Sequence, residues 1–176
     1  LKPAFTQMGE EAGFDAVAMQ RYPQVESIQH VHTGGNSSGI VDGAAAVLVM
    51  SDTKAKELGL TPLARVVATA ATGLSPEIMG LGPIEAIRKV LRISGMSLSD
   101  IDLVEINEAF AVQVLGSANE LGIDHDKLNV SGGAIAIGHP FGMTGARITT
   151  TLLNNLQTHD KTFGIESMCV GGGQGM

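Results

Sequence analysis

From residue 62 onward the chain alternates short apolar runs with segments that carry a helical apolar stripe, and that alternation constrains the fold most. Pro62 opens the run "LARVVATAATG", which reads as a strand. "GLGPIEAIRKVLRISG" follows as a helix, with Pro83 in its first turn and Gly95 at its end. "SLSDID" turns the chain into the strand "LVEI" at 103–106. "NEAFAVQVLGSANELG" then sets Phe110, Val114 and Leu121 near one helical face. "LNVSGGAIAIGHPFGMTG" reads as a strand running into a Gly-rich loop, "ARITTTLLNNLQ" as a helix and "FGIESMCV" as the last strand. Upstream, "AAAVLVM" (44–50) reads as a buried strand, and Ser51 or Asp52 caps the short helix "TKAKELG", stopped by Gly59. Largely apolar strands alternating with helices predict an α/β fold whose sheet is covered on both faces. Residues 1–40 show little sustained periodicity and run into the Gly/Ser/Asn-rich loop "SIQHVHTGGNSSGIVDG".

Composition narrows the functional classes. Hydrophobic residues make up 44% of the chain and charged residues 16%, as in a globular protein with a sizeable core. A net charge of −7, with the eleven Lys and Arg scattered, argues against nucleic acid as a partner. An anionic small ligand stays compatible, because local fields govern such sites. Cys169 is the only cysteine in 176 residues, so no intrachain disulfide forms and a reducing compartment, the cytoplasm, is expected. No apolar stretch has the length of a membrane span, and "LKPAFTQMGEE" lacks the layout of a signal peptide. It also lacks an initiator Met and reads like the middle of a longer polypeptide.

Three polar residues stand at or just beyond predicted strand ends: Asn107, His139 and Cys169. In layered α/β folds ligands gather at that edge, so residues about thirty positions apart can converge there. The lone thiol is followed by Val170 and the glycines 171–173, whose N–H groups can form a nest for a developing oxyanion. A small core cysteine beside a plain turn is the simpler alternative. His139, held between Gly138 and Pro140, suits proton exchange near pH 7 or donation to a carbonyl. Asn107 suits two compatible roles, a helix N-cap or a group holding a water or substrate carbonyl. His30 and His32 lack the further ligands a metal site needs, so no metal is expected. The glycine spacing in "GHPFGMTG" differs from the dinucleotide fingerprint, and no phosphate-loop GKS or GKT occurs. A papain-like hydrolase is disfavoured, because its nucleophile starts a helix whereas Cys169 ends a strand.

"NEAFA", "GGAIAIGHPFGMTGAR" and "CVGGGQG", in that order and spacing, together with "GNSSGIVDGAAAVLVMS" upstream, resemble the thiolase family of acetyl-CoA acetyltransferases and 3-oxoacyl-CoA thiolases. The likeness covers nearly the whole chain and is weakest over residues 1–30. It implies Claisen condensation of two acyl-CoA thioesters, or thiolytic cleavage of a 3-oxoacyl-CoA, in a thiolase-like layered fold. Cys169 corresponds to the acid/base cysteine. His139 corresponds to the histidine that helps activate the nucleophile and donates to a thioester oxygen. Asn107 holds the water of that oxyanion hole, the Gly171 N–H is a donor of the second hole, and Ser38 touches the pantetheine arm of CoA. By the same likeness residues 1–40 end the CoA-binding loop region, 41–61 carry the last strand and helix of the N-terminal domain, and 62–176 form the C-terminal domain. Acyl-CoA and CoA are the implied substrates, no further cofactor is implied, and the complete enzyme is expected to be a cytoplasmic homo-oligomer, dimer or tetramer.

One departure stands out. Thiolases carry a second, nucleophilic cysteine in an N-terminal domain, and this chain has no other cysteine. The family's closing strand after "GGGQG" is also missing. The expectation is the C-terminal portion of a thiolase, as a fragment or as one subunit of a split enzyme, which alone forms no acyl-enzyme. A non-catalytic CoA-binding or scaffolding role is the alternative. A ketoacyl synthase-like condensing enzyme is set apart by the cysteine of "CVGGGQG", which that group lacks.

Overall fold

The computed structural model describes residues 1–176. In chain order the elements are α1 (Thr6–Glu10), α2 (Phe14–Arg21), α3 (Asp52–Glu57), β1 (Thr72–Gly73), α4 (Gly82–Ser94), β2 (Leu103–Ile106), α5 (Ala111–Leu121), α6 (Ala134–Ile137), α7 (Thr144–Thr158), β3 (Gly164–Ser167), β4 (Cys169–Val170) and β5 (Gln174–Gly175). No helix is long and apolar enough to cross a membrane.

The helix boundaries follow local chemistry. Ser51 accepts from the Lys54 N–H and caps α3. Pro83 sits in the first turn of α4, where no N–H is needed, and Gly95 ends it at φ +71. In α7 the buried residues Thr144, Ile148, Leu152 and Asn155 recur every three or four positions and, with Arg147 beside Ile148, form one inward face.

Strands β2 and β3 pair in parallel, Leu103 opposite Gly164 through Ile106 opposite Ser167. Asp102 pins the start of this pair by accepting from the Thr162 and Phe163 N–H groups at 3.0 and 2.9 Å. Alternate β2 side chains face opposite ways. Val104 and Ile106 join Ile165, Ile87 of α4, and Val114 and Ala118 of α5 in the main apolar cluster. Burying each large aliphatic side chain there contributes roughly 1.5–3 kcal/mol. On the other face Glu105 accepts from Asn155 of α7 at 3.2 Å. Helices thus cover both faces of a mixed α/β arrangement, as the alternation predicts. The chain then passes from β3 into β4, which pairs antiparallel with β5, and β5 pairs with β1.

Several strand readings are corrected. Residues 44–50 belong to no ladder, and Leu48 and Val49 are 77% and 75% exposed. The run from 63 likewise has Val66 exposed, and only Thr72–Gly73 of it pairs, with β5. Apolar composition does not make a strand by itself. A ladder needs a hydrogen-bonding neighbour, and these segments meet none within residues 1–176. In "LNVSGGAIAIG" Leu128 contributes an isolated bridge to Val104, while 134–137 closes one helical turn.

Candidate active site

Asn107 leaves the C-terminal end of β2, and its N–H donates to the Ser167 carbonyl of β3 at 2.9 Å. It does not cap a helix: α5 begins after Phe110, with no side-chain cap. The reading of Asn107 as an N-cap is therefore overturned, because three residues still separate it from the first helical position. Its carboxamide is buried, 1% exposed, and turns toward α7, where Arg147 Nη2 donates to Oδ1 at 3.3 Å. The Nδ2 group of Asn107 is buried without a hydrogen-bond partner in the protein. Five other buried side-chain atoms, on Thr72, Gln113, Ser117 and Arg147, are likewise unpartnered, and what sets Asn107 Nδ2 apart is its place at the end of β2.

His139 lies in the loop between α6 and α7, half-buried. Thr144 Oγ1 donates its single proton to the Pro140 carbonyl at 2.9 Å. With that proton on the carbonyl, the same oxygen, 2.6 Å from His139 Nδ1, accepts from Nδ1–H, the tautomer that leaves the Nε2 lone pair free. Burial, and then the Arg147 charge, lower the His139 pKa, so the ring is neutral near pH 7. Phe141 packs edge-on against it, 4.9 Å between ring centroids.

Cys169 begins β4 and is buried and unpaired. Burial pushes its thiol above the ordinary value, so the resting group is SH. No hydrogen bond joins its sulfur to His139 or Asn107. The adjoining Met168 exchanges two 3.0 Å hydrogen bonds with Met176, which anchors the Cys169 backbone to the chain's last residue. Gly171 opens the exposed turn that follows β4, with its N–H engaged by no backbone carbonyl.

The loop bearing Ser38 ties these parts together. The Ser38 N–H and hydroxyl both donate to the Ala109 carbonyl, at 3.0 and 3.3 Å, and the His139 N–H donates to the Gly39 carbonyl at 2.8 Å. Ser38, Asn107 and His139 are thereby linked through adjoining backbone, and Asn107 meets the strand that leads to Cys169. A cleft of about 420 Å³ opens beside His139 between residues 41–45 and 140–143. The two histidines of the first segment have other partners. His30 pairs with Asp15 at 2.8 Å, and His32 packs its ring against Phe110.

Sequence reasoning missed the polar frame beneath the site. Asn129, at φ +47, accepts from the Ile106 N–H at 2.8 Å and donates to the Ile106 carbonyl at 2.9 Å, standing in for a neighbouring strand. It also donates to Glu108 Oε1, while Glu108 Oε2 accepts from the Ile135 N–H. Glu108 therefore joins the Asn107 turn to α6, the helical turn that precedes His139. Burial lifts the Glu105 carboxyl to about 7, opposed by Arg147 and the Asn155 hydrogen bond. Two signals were readable. Arg147 is the only charged residue in 144–158, and Glu105 interrupts an otherwise apolar strand.

Comparison with known proteins bears on this geometry. A family description, "Thiolase, C-terminal domain", matches residues 60–176. The acetyl-CoA acetyltransferase of Escherichia coli strain K12 is 54% identical over 144 residues, which are 82% of this chain and 36% of that protein. Among solved structures, the Bacillus anthracis acetyl-CoA acetyltransferase superposes with a TM-score of 0.79 at 52% identity, over 81% of this chain and 36% of that one. Human mitochondrial 3-ketoacyl-CoA thiolase in complex with CoA gives 0.76 at 46% identity, over 81% of this chain and 36% of that one. The chain thus spans a little over a third of the length of these relatives. On these matches the chain belongs to the thiolase family, within whose C-terminal domain most of it lies.

Proposed function

We propose that this chain supplies the acid/base and oxyanion-binding half of an acyl-CoA C-acyltransferase, which joins two acyl-CoA thioesters or cleaves a 3-oxoacyl-CoA with CoA. The observation that carries the reading is the buried, unpartnered Nδ2 of Asn107 at the end of β2. A donor left open in a dry strand end suits an enolate or thioester oxygen, directly or through one water. The neutral His139 ring, with Nε2 free, supports a role as the neighbouring base. The covalent nucleophile is a cysteine supplied from outside residues 1–176.

In the synthetic direction that nucleophile gives its proton to His139 Nε2 and takes the acyl group from the first thioester. The imidazolium then donates Nε2–H to the oxygen on which charge develops. Because burial keeps Cys169 as SH at rest, it acts first as an acid and protonates the departing CoA thiolate. The thiolate so formed takes the α-proton of the second acyl-CoA. The resulting enolate carbon attacks the acyl-enzyme carbonyl, forming the C–C bond as the bond to the nucleophilic sulfur breaks, and His139 returns the proton to that sulfur. Asn107 and the Gly171 N–H stabilise the oxyanions of these steps, and Ser38 faces the pantetheine arm.

The test is deuterium exchange into the α-position of acetyl-CoA, alongside thiolysis, by the complete enzyme that contains this chain. Cys169→Ala and His139→Ala are each expected to lower turnover by about 10²–10⁴ with unchanged circular dichroism. Near-normal exchange by Cys169→Ala, or near-normal turnover by His139→Ala, removes the role given to that residue.

A further inference from the structure

We infer that Arg147 is a positioning residue that fixes the orientation of the Asn107 carboxamide, so that its NH₂ group and not its carbonyl faces the reacting oxygen. The inference rests on the proposed role of Asn107 as an oxyanion donor and adds the device that makes the donor reliable.

An asparagine side chain is nearly symmetric in shape, and turning it by 180° exchanges a donor for an acceptor. A flipped Asn107 would aim its carbonyl at an oxygen that is gaining negative charge, replacing attraction with repulsion. Something must therefore hold the amide one way round. Asn107 is buried, so bulk solvent does not set its orientation. Its other neighbours in the turn are engaged elsewhere: Glu108 with Asn129 and the Ile135 N–H, and the Asn107 N–H with Ser167. The only hydrogen bond the Asn107 side chain makes is the one it accepts from Arg147 Nη2.

A guanidinium has donors only. Whichever way the amide might turn, only Oδ1 can satisfy Arg147, and Nδ2 is left on the far side, where it is found without a partner. The Asn107 contact is the only side-chain hydrogen bond that Arg147 makes, and its buried Nε has no partner. Burial pulls its pKa down, while the carboxylates of Glu105 on β2, Glu108 after it and Glu166 on β3 push it back up. Helix α7 supplies the register. Arg147 lies three residues after Thr144, whose hydroxyl orients His139, so one turn of one helix sets both polar groups of the proposed site.

The experiment is a double-mutant cycle on the complete enzyme, measuring kcat and KM for Asn107→Ala, Arg147→Gln and the pair, with Arg147→Lys as the conservative variant. Asn107→Ala is expected to lower kcat by about 10²–10³, the cost of one oxyanion donor. Glutamine offers both a donor and an acceptor and lets the amide turn. Arg147→Gln is expected to lower kcat by roughly tenfold to a hundredfold with KM within about twofold. In the Asn107→Ala background the same change should cost less than about threefold, because the group it orients is gone. Arg147→Lys, which again only donates, should recover most of kcat, and it keeps the cation if the glutamine variant does not fold. Losses that multiply in the double variant, or a lysine variant as slow as the glutamine one, overturn the assignment of Arg147 alone. Near-normal kcat for Asn107→Ala overturns the donor role of Asn107 and the positioning role with it.

Discussion

Replacing Glu105 with glutamine should flatten the pH dependence of stability. Glu105 is 2% exposed on β2, and burial raises its carboxyl from an ordinary 4.5 to about 7, despite the nearby Arg147 charge and the Asn155 hydrogen bond. An acid with a raised folded-state pKa binds its proton more tightly when folded. Its contribution to stability is complete below pH 4.5 and is lost as pH rises through about 7. The two pKa values bound a loss of about 3 kcal/mol, with a steepest slope near 1.4 kcal/mol per pH unit between them. Glutamine keeps the acceptor for Asn155 and has no proton to lose. Urea unfolding at half-unit steps from pH 4.5 to 8.5 yields the two stability curves, and their difference cancels titrating groups remote from Glu105, leaving its own loss and its coupling to Arg147, Glu108 and Glu166. The absolute offset carries less weight, because the variant also takes a counter-charge from Arg147. Parallel curves across this range would refute the reasoning.

Two further outcomes follow from the polar frame and the loop bearing Ser38. Asn129→Ala leaves the buried N–H and carbonyl of Ile106 unpaired and should cost about 2–4 kcal/mol in urea unfolding, with lost hydrogen-exchange protection at the Ile106 amide; a cost below about 1 kcal/mol would contradict the strand-mimicking role. Ser38→Ala in the complete enzyme should raise KM for CoA several-fold with kcat nearly unchanged, and steady-state kinetics showing the reverse split would move Ser38 from binding to chemistry.

Much of the site was legible because its signals are local. Gly138 and Pro140 around His139, the glycines after Cys169 and the polar residue closing "LVEI" mark backbone geometry within a few positions. The helices were legible for the same reason: Ser51, Pro83 and Gly95 act on the first or last turn of their own segment. The runs 44–50 and 63–70 misled because a strand is a relation between segments, and their composition does not reveal whether a partner is at hand.

The sequence by itself determined the α/β alternation and the ends of α3 and α4, and it placed Asn107 and Cys169 just beyond strands, whereas His139 follows the helical turn α6 and α5 starts later than its apolar pattern suggests. Tertiary structure alone decided that Asn107 faces Arg147 instead of capping α5, that the Thr144 hydroxyl meets the His139 ring, and that Asn129 completes the hydrogen bonding of β2. Each of these contacts except the Thr144 one joins residues 23 or more positions apart. The physical reason is that orientation and proton position depend on which donor or acceptor a side chain meets, and packing, not spacing along the chain, supplies that partner.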